Sequence, residues 1–348
     1  MAAPDAPPRA ARPPTVQGDP LSRRVAISPR GERWKKVWEV FTYSKLATVG
    51  FVIIGVFVIV AIVAPYVAPY DPQAMGVGNP GESPSAAHWL GTTRVGQDVF
   101  SQLLVGTRTS LFVGFTVGIL STVLAVLIGS IAGYLGGWVD DALTLLMNVF
   151  LTIPNLPLMI VAASYAAAFN VKGIGVVIAV LTLTGWAWGA RVKRSQILSL
   201  RSKDFVMAAQ VSGEHWFRIM VVEVLPNMLS LIASTFIFGV IFAVLAEAGL
   251  EFIGLGDLSA TTWGTMLYWS ENGSALLQGM WWWFLPPGLA VGIFALGLTL
   301  IQYVMDEMTN PRLRAERQRK GGGVVPQMTT TAPSDTTVTE GAPDVTPA

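Results

Sequence analysis

The chain has 348 residues, of which 52% are hydrophobic and 13% charged, with 35 glycines, 12 tryptophans and a net charge of +1. A mean hydropathy of +0.53 places it among membrane proteins and excludes an ordinary soluble domain. Cysteine is absent, which excludes disulfides, thiolate nucleophiles and thiolate metal sites, and no feature of the charge points to a nucleic-acid partner.

Residues 1–31 are rich in Pro, Ala and Arg and lack hydrophobic periodicity. They read as a disordered tail, not a signal peptide, because the charged region is too long and the apolar run after it is long enough to span a membrane. Over 32–45, Trp34, Trp38 and Phe41 fall on one helical face, with Lys35, Lys36 and Glu39 mostly elsewhere. That pattern predicts an interfacial amphipathic helix, although a plain juxtamembrane helix fits equally. Six apolar segments follow, at about 46–70, 109–137, 142–170, 173–190, 227–250 and 282–305. Each has roughly the 20 apolar residues that a helix needs to cross a bilayer, so the expected fold is all-α and polytopic. From Ala315 the chain begins basic (Arg317, Arg319, Lys320) and becomes rich in Gly, Thr, Pro and Ser. Residues 315–348 read as a second disordered tail.

Orientation follows from Lys and Arg. With the N-terminus inside, 20 of the 23 basic residues lie on the inner side, and only Arg94, Arg108 and Lys172 lie outside. The positive-inside rule then makes both termini and the 191–226 segment cytoplasmic.

That 191–226 segment is the long polar interval on the basic side of the membrane. Arg191, Lys193, Arg194, Arg201 and Lys203 lead into Asp204 and the small pair Ala208-Ala209. Gly213 then stands alone before an amphipathic run, and Leu225-Pro226 opens the next span. Glycine permits a sharp turn between two short helices, Pro226 suits a helical first turn, and the small pair offers a face for close docking. An ordinary inter-span loop is the bland alternative.

Within the spans, Pro154 and Pro157, and Pro286-Pro287, remove backbone hydrogen bonds and predict kinks that could serve as a gate, though ordinary spans tolerate them too. Glycines recur four residues apart at 114/118, 129/133, 185/189 and 288/292, which allows close helix approach; intramolecular packing explains most such pairs. Glu247 and Glu251, four apart, share one face near the end of the fifth span. They read as structural or path residues, a structural pairing with the neighbouring loop being at least as good an account as substrate contact. His88 and His215 show no ligand spacing, no Walker phosphate loop occurs, and no catalytic constellation stands out. The chain is therefore expected to be non-catalytic, with no metal or cofactor of its own.

Several motifs, in order, carry a resemblance. Ala208-Ala209, Gly213 and Leu225-Pro226 have the spacing of the EAA loop of ABC importer permeases. Met207 stands where that family often has Glu, and Glu223 where it often has a hydrophobic residue. The stretch His88, Leu90-Gly91-Thr92, Gly96, Asp98-Val99, the run Gly185–Leu200, the segment Glu247 to Gly256 and the ending Asn310-Pro311-Arg312-Leu313 resemble the C-type permease subunit of dipeptide, oligopeptide and nickel importers. The resemblance covers about residues 45–314.

It implies a type I permease fold, placed in the inner membrane, whose EAA loop docks on a cytoplasmic ATPase. It also implies a second, B-type permease, two ABC ATPase subunits that hold ATP and Mg, and an extracellular substrate-binding protein. Peptides are the implied substrate. Trp281–Trp283 and Tyr303–Glu307 look more like subgroup members associated with oligosaccharides, which with nickel chelates stay open as alternatives. A stand-alone secondary transporter or channel is the alternative of a different class; it would need charged residues along the path, and the spans are nearly free of them.

Overall fold

The computed structural model describes residues 45–309 except Asn170 and Lys172, with the side chains of residues 307–309 also excepted. The tails, the amphipathic segment up to residue 44, Lys172 and the Asn310–Leu313 ending lie outside the described residues. The chain is helical: α1 Lys45–Val67, α2 Val99–Leu135, α3 Gly137–Thr152, α4 Asn155–Ala168, α5 Ile174–Leu200, α6 Asp204–Val211, α7 Trp216–Arg218, α8 Leu225–Asn227, α9 Leu229–Phe252, α10 Trp263–Asn272 and α11 Trp281–Thr309. No strand occurs among the described residues, only an isolated bridge between Thr92 and Asp98.

Helices α1, α2, α5, α9 and α11 are each long and apolar enough to cross a membrane, and a sixth crossing is made if α3 and α4 count as one. That pair is bent by 91° at its break. The cause is local: Ile153 precedes Pro154 and adopts an extended conformation, φ −73° and ψ 126°, because the proline ring disfavours the α region for the residue before it. Pro157 falls in the first turn of α4, where its missing N–H costs nothing. Pro286 and Pro287 lie within α11, which runs unbroken past them.

Two boundaries differ from the sequence expectation by ten residues. Helix α2 starts ten residues before 109, because Asp98 caps it: its Oδ2 accepts from Ser101 N at 2.8 Å and Ser101 Oγ at 2.7 Å. Helix α5 runs to Leu200 rather than ending at 190. Arg191, Lys193 and Arg194 therefore stand on a helix, not in a loop. Arg194 is held there by Asp140, to which its Nε and Nη2 donate at 2.5 and 2.7 Å, while Lys193, buried, donates to Thr235 Oγ1 at 2.8 Å.

The chain divides into two compact units. The first takes the described part of Met1–Val117 with Leu156–Thr182 and Val240–Ile301. Its core joins Val113, Val117, Leu181, Ala243 and Leu250. Here α1 meets α11 at small residues: a β-carbon on Gly50 would lie 2.8 Å from Gly297 O. Phe57, Trp263 and Phe294 stack edge to face with centroids 5.5–5.9 Å apart.

The second unit takes Gly118–Asn155, Leu183–Gly239 and the described part of Gln302–Ala348. Ala125, Ala132, Met147, Trp186 and Ala190 form one cluster in it. A β-carbon on Gly129 or Gly133 would meet the carbonyls of Ala190 or Arg194, so that pair packs against α5 as expected. Gly288 and Gly292 face nothing within 4 Å, so the intramolecular explanation does not extend to them.

Candidate functional site

The segment from Lys203 to Met228 forms two helical arms around a turn. Helix α6 ends in a Schellman arrangement: Glu214 N donates to Ala209 O at 3.2 Å and Gly213 N to Gln210 O at 3.0 Å. Gly213 has φ +78°, and a β-carbon there would meet nothing within 4 Å. Its requirement is therefore purely conformational, as only glycine adopts that region without strain. Asp204 begins α6 and puts its carboxylate at the positive end of the helix.

The second arm runs through α7, a π-helical turn at Ile219–Val224, and α8. His215 Nδ1 accepts from Phe217 N at 3.3 Å as its cap. Pro226 sits in the first turn of α8. The π turn immediately before it is where the helical hydrogen-bond pattern adjusts to a residue that cannot donate.

Both arms are amphipathic in space. Val206, Ile219, Met220, Val224 and Met228 are buried together with Ile197 of α5. On the other side Met207, Val211, Phe217, Val221 and Val222 are exposed, Val211 to 89% and Phe217 to 59%. The predicted small pair is split between these faces: Ala208 is exposed, whereas Ala209 packs against the buried cluster with Leu225. Only Ala208 can belong to a docking face; Ala209 holds the arm to its own core. Glu223 is half-buried and Met207 exposed, so the two positions at which this chain departs from the family pattern do not face one environment.

In the first unit the two acids of α9 are buried and in polar contact. Ser110 Oγ donates to Glu247 Oε1 at 3.1 Å and accepts from Trp263 N at 3.1 Å. The Thr262 hydroxyl donates to Glu251. Thr262 and Thr265 in turn cap α10 reciprocally, Thr265 N to Thr262 Oγ1 at 3.0 Å and Thr262 N to Thr265 Oγ1 at 2.9 Å. Trp263 Nε1 donates to Thr107 Oγ1 at 3.2 Å. Glu247 and Glu251 thus anchor the start of α10. Sequence reading missed α10; the Thr262-x-x-Thr265 spacing before an apolar run was its signal. Pro154 marks the break between α3 and α4, and Pro157 belongs to neither network.

The motif from His88 to Val99 folds on itself. His88 Nδ1 lies 2.9 Å from Asp98 Oδ1, and Asp98 Oδ2 holds Ser101, whose Oγ accepts from Tyr70 N at 3.2 Å. Gly91 has φ +64°, and a β-carbon there would lie 2.5 Å from Glu82 O. Trp282 Nε1 donates to Thr92 O at 3.2 Å. Of the tryptophan triple, Trp282 is thereby tied, Trp283 is packed against Gly273, and Trp281 is exposed to 51%. Among the described residues no group of three or more His, Asp or Glu is placed to hold a metal.

Residues 125–315 match the family model described as binding-protein-dependent transport system inner membrane component, and residues 32–84 match the N-terminal TM domain of oligopeptide transport permease C. The oligopeptide transport system permease protein of Bacillus subtilis is 32% identical over 81% of this chain and 90% of its own length. The dipeptide transport system permease protein of the same organism is 29% identical over 84% and 88%. The nickel transport system permease protein of Escherichia coli K12 is 33% identical over 76% and 94%.

Proposed function

We propose, since the chain belongs to the family of binding-protein-dependent transport system inner membrane components, that it is the peptide-translocating permease subunit of an ATP-driven importer. The observation that carries the coupling role is the 203–228 segment. It is internally anchored by Val206, Ile219, Met220 and Val224, yet leaves Val211, Phe217 and Val221 in the open. Exposed apolar clusters of this kind mark partner surfaces.

The partners are two cytoplasmic ATPase subunits, which hold ATP and Mg, a second permease across the path, and an extracellular binding protein. ATPase closure would press on the exposed face of α6 and the Trp216–Asn227 arm. Because the other face is fused to the core around Ile197, the push reaches the spans rather than dissipating in a floppy loop. This chain contributes no catalytic group.

The orientation places both termini and this loop inside, supported by the distribution of Lys and Arg. The chain lacks cysteine, so single cysteines can be labelled without background. Ser83→Cys and Ser202→Cys both replace exposed serines. The first should react with an impermeant thiol reagent in intact cells and the second only after permeabilisation; labelling of position 202 from outside would reverse the topology.

Peptide is the substrate reading that the oligopeptide and dipeptide relatives support. The packing of Trp282 and Trp283 supports an architectural role for the tryptophan triple over sugar stacking. The nickel relative keeps nickel chelates as the second reading. The decisive functional experiment compares ATPase activity of the reconstituted complex with and without loaded binding protein. Ala208→Trp should abolish stimulation while the permease stays assembled; full stimulation would remove the loop from the coupling path.

A further inference from the structure

The turn between α10 and α11 is tightly built and carries two bare leucines. Leu276 is exposed to 68% and Leu277 to 88%. The residues on either side are buried: Ala275 and Met280 pack with Val99, Met266 and Trp283 in one core cluster. Gly273 makes the closest approach, since a β-carbon there would lie 2.6 Å from the Trp283 ring. Ser274 then takes φ +52°, the one residue other than glycine with a positive φ among the described residues. A side chain in that region strains the backbone and persists only where the packing around it holds it. The leucines are therefore displayed by a fixed turn.

The backbone of this turn largely answers itself. Ser274 N donates to Glu271 O, Ala275 N to Ser270 O, Gln278 N to Ser274 O and Met280 N to Ala275 O, at 2.8–3.1 Å. The Gln278 side chain folds back, its Nε2 donating to Gly273 O at 2.9 Å. Polar groups paired in this way can leave water without the cost of an unmade hydrogen bond.

The surroundings favour lipid over a protein partner. No charged residue occurs from Asn272 to Met305, so the turn and α11 form one uncharged run. The apolar span of α11, Trp281–Asp306, has 26 residues. At 1.5 Å per residue it is about 39 Å long, and about 37 Å along the membrane normal at the usual tilt, against a hydrocarbon core of about 30 Å. Its first residues therefore stand in the interface. Trp281, exposed to 51%, is of the type enriched at that depth. The turn joins it directly, Trp281 N donating to Gly279 O at 3.0 Å. The exposed row of the 203–228 segment is different: Lys203, Asp204, Glu214 and Arg218 are interspersed with it, as in the polar rim of a protein interface.

We propose that the Ser274–Gly279 turn is a membrane anchor, with Leu276 and Leu277 entering the headgroup–acyl boundary of the leaflet at the N-terminal end of α11. Its ligand is the apolar part of a phospholipid. An anionic headgroup is not required, because the turn offers no cation and the nearest charge before it, Glu271, is an exposed acid. The anchor fixes the depth of α11. It also holds the far end of α10, whose near end is tied to Ser110 through Trp263 N. None of this depends on the importer reading; in the orientation proposed above, the leaflet is the outer one.

The test has two arms, both on the full chain in phosphatidylcholine nanodiscs without binding protein. The chain has no cysteine, so Leu277→Cys carries a single spin label. Its collision rates with oxygen, which concentrates in lipid, and with a water-soluble nickel chelate report its depth. The label should be oxygen-favoured, and should stay so when phosphatidylglycerol replaces part of the lipid. A chelate-favoured label overturns the anchor, as does one that is oxygen-favoured only with phosphatidylglycerol.

The second arm labels Leu285→Cys, on α11 beyond the turn, with and without Leu276→Ser plus Leu277→Ser. Neither leucine belongs to the core, so membrane abundance should be kept. In the double substitution the label should shift toward the chelate as the end of α11 rises out of the membrane. An unmoved label overturns the anchor. If capture of the extracellular binding protein is lost while the label stays unmoved, the leucines are a knob for a protein partner and the lipid assignment fails.

Discussion

Two segments of this chain look alike in composition and behave oppositely in space. The 70–108 segment and the 203–228 segment are both polar intervals beside apolar spans. In the first, the polar groups answer one another: His88, Asp98, Ser101 and the Tyr70 amide form one chain of hydrogen bonds, and Gly91 and Gly96 let the backbone fold onto itself. In the second, the hydrogen bonds are mostly local caps, and the apolar residues divide between a buried row and an exposed row. A segment that satisfies itself is architecture. A segment that is well anchored on one side leaves Val211 and Phe217 bare on the other, which is why we propose it as the docking face. Both kinds of order need local rigidity; only the second leaves apolar area to be covered.

The contrast can be broken most severely at the exposed row. Phe217→Asp together with Val211→Asp should leave insertion and abundance unchanged, since neither residue touches the core, but should abolish transport and co-purification of the ATPase subunits. Retained co-purification would mean the bare face is not the partner surface. Gly213→Val comes next. A β-carbon there meets nothing within 4 Å, so the cost begins with backbone strain, about 1 kcal/mol or more for a branched residue in the left-handed region. Transport should fall while the membrane-inserted amount is kept, and Gly213→Ala should fall less.

Ala209→Trp sharpens the same contrast from inside. It overfills the half-buried contact with the Ile197 cluster, where excess volume costs about 1–3 kcal/mol, so the loop should become protease-sensitive. Ala208→Trp, one residue away, should not. Equal sensitivity would erase the distinction between the two faces.

The smallest effects belong to a second self-satisfied network, the one that anchors the start of α10. Thr262→Ala removes the cap of α10 and the donor to Glu251, at about 1–2 kcal/mol. Glu247→Gln keeps the acceptor for Ser110. Both should lower thermal stability of the solubilised protein and its membrane abundance, with the ranking of transported peptides unaltered. A changed ranking at normal abundance would make Glu247 a path residue.

Some features were open to inspection in the linear chain. Six apolar runs announced a helical membrane protein because no other spanning structure of this kind satisfies its own backbone in lipid. Gly213 announced a turn because its conformation is a property of one residue. Ile153-Pro154 announced a break for the same reason, though not its 91°, since the angle depends on what each half packs against.

The tertiary structure decided whatever depends on direction. Ala208 and Ala209 are chemically identical neighbours, and the helix turns one outward and the other inward. Helix α5 carries Arg191, Lys193 and Arg194 past the expected end of the span because Asp140 and Thr235, 54 and 42 residues away in sequence, answer two of those charges. Helix α10 had only the Thr262-x-x-Thr265 spacing to mark it in the sequence; its tie to Ser110, 153 residues before Trp263, exists only in the fold. Periodicity and single-residue conformation are local and survive in the sequence, whereas pairing across more than a hundred residues is set by packing, which the order of residues alone does not display.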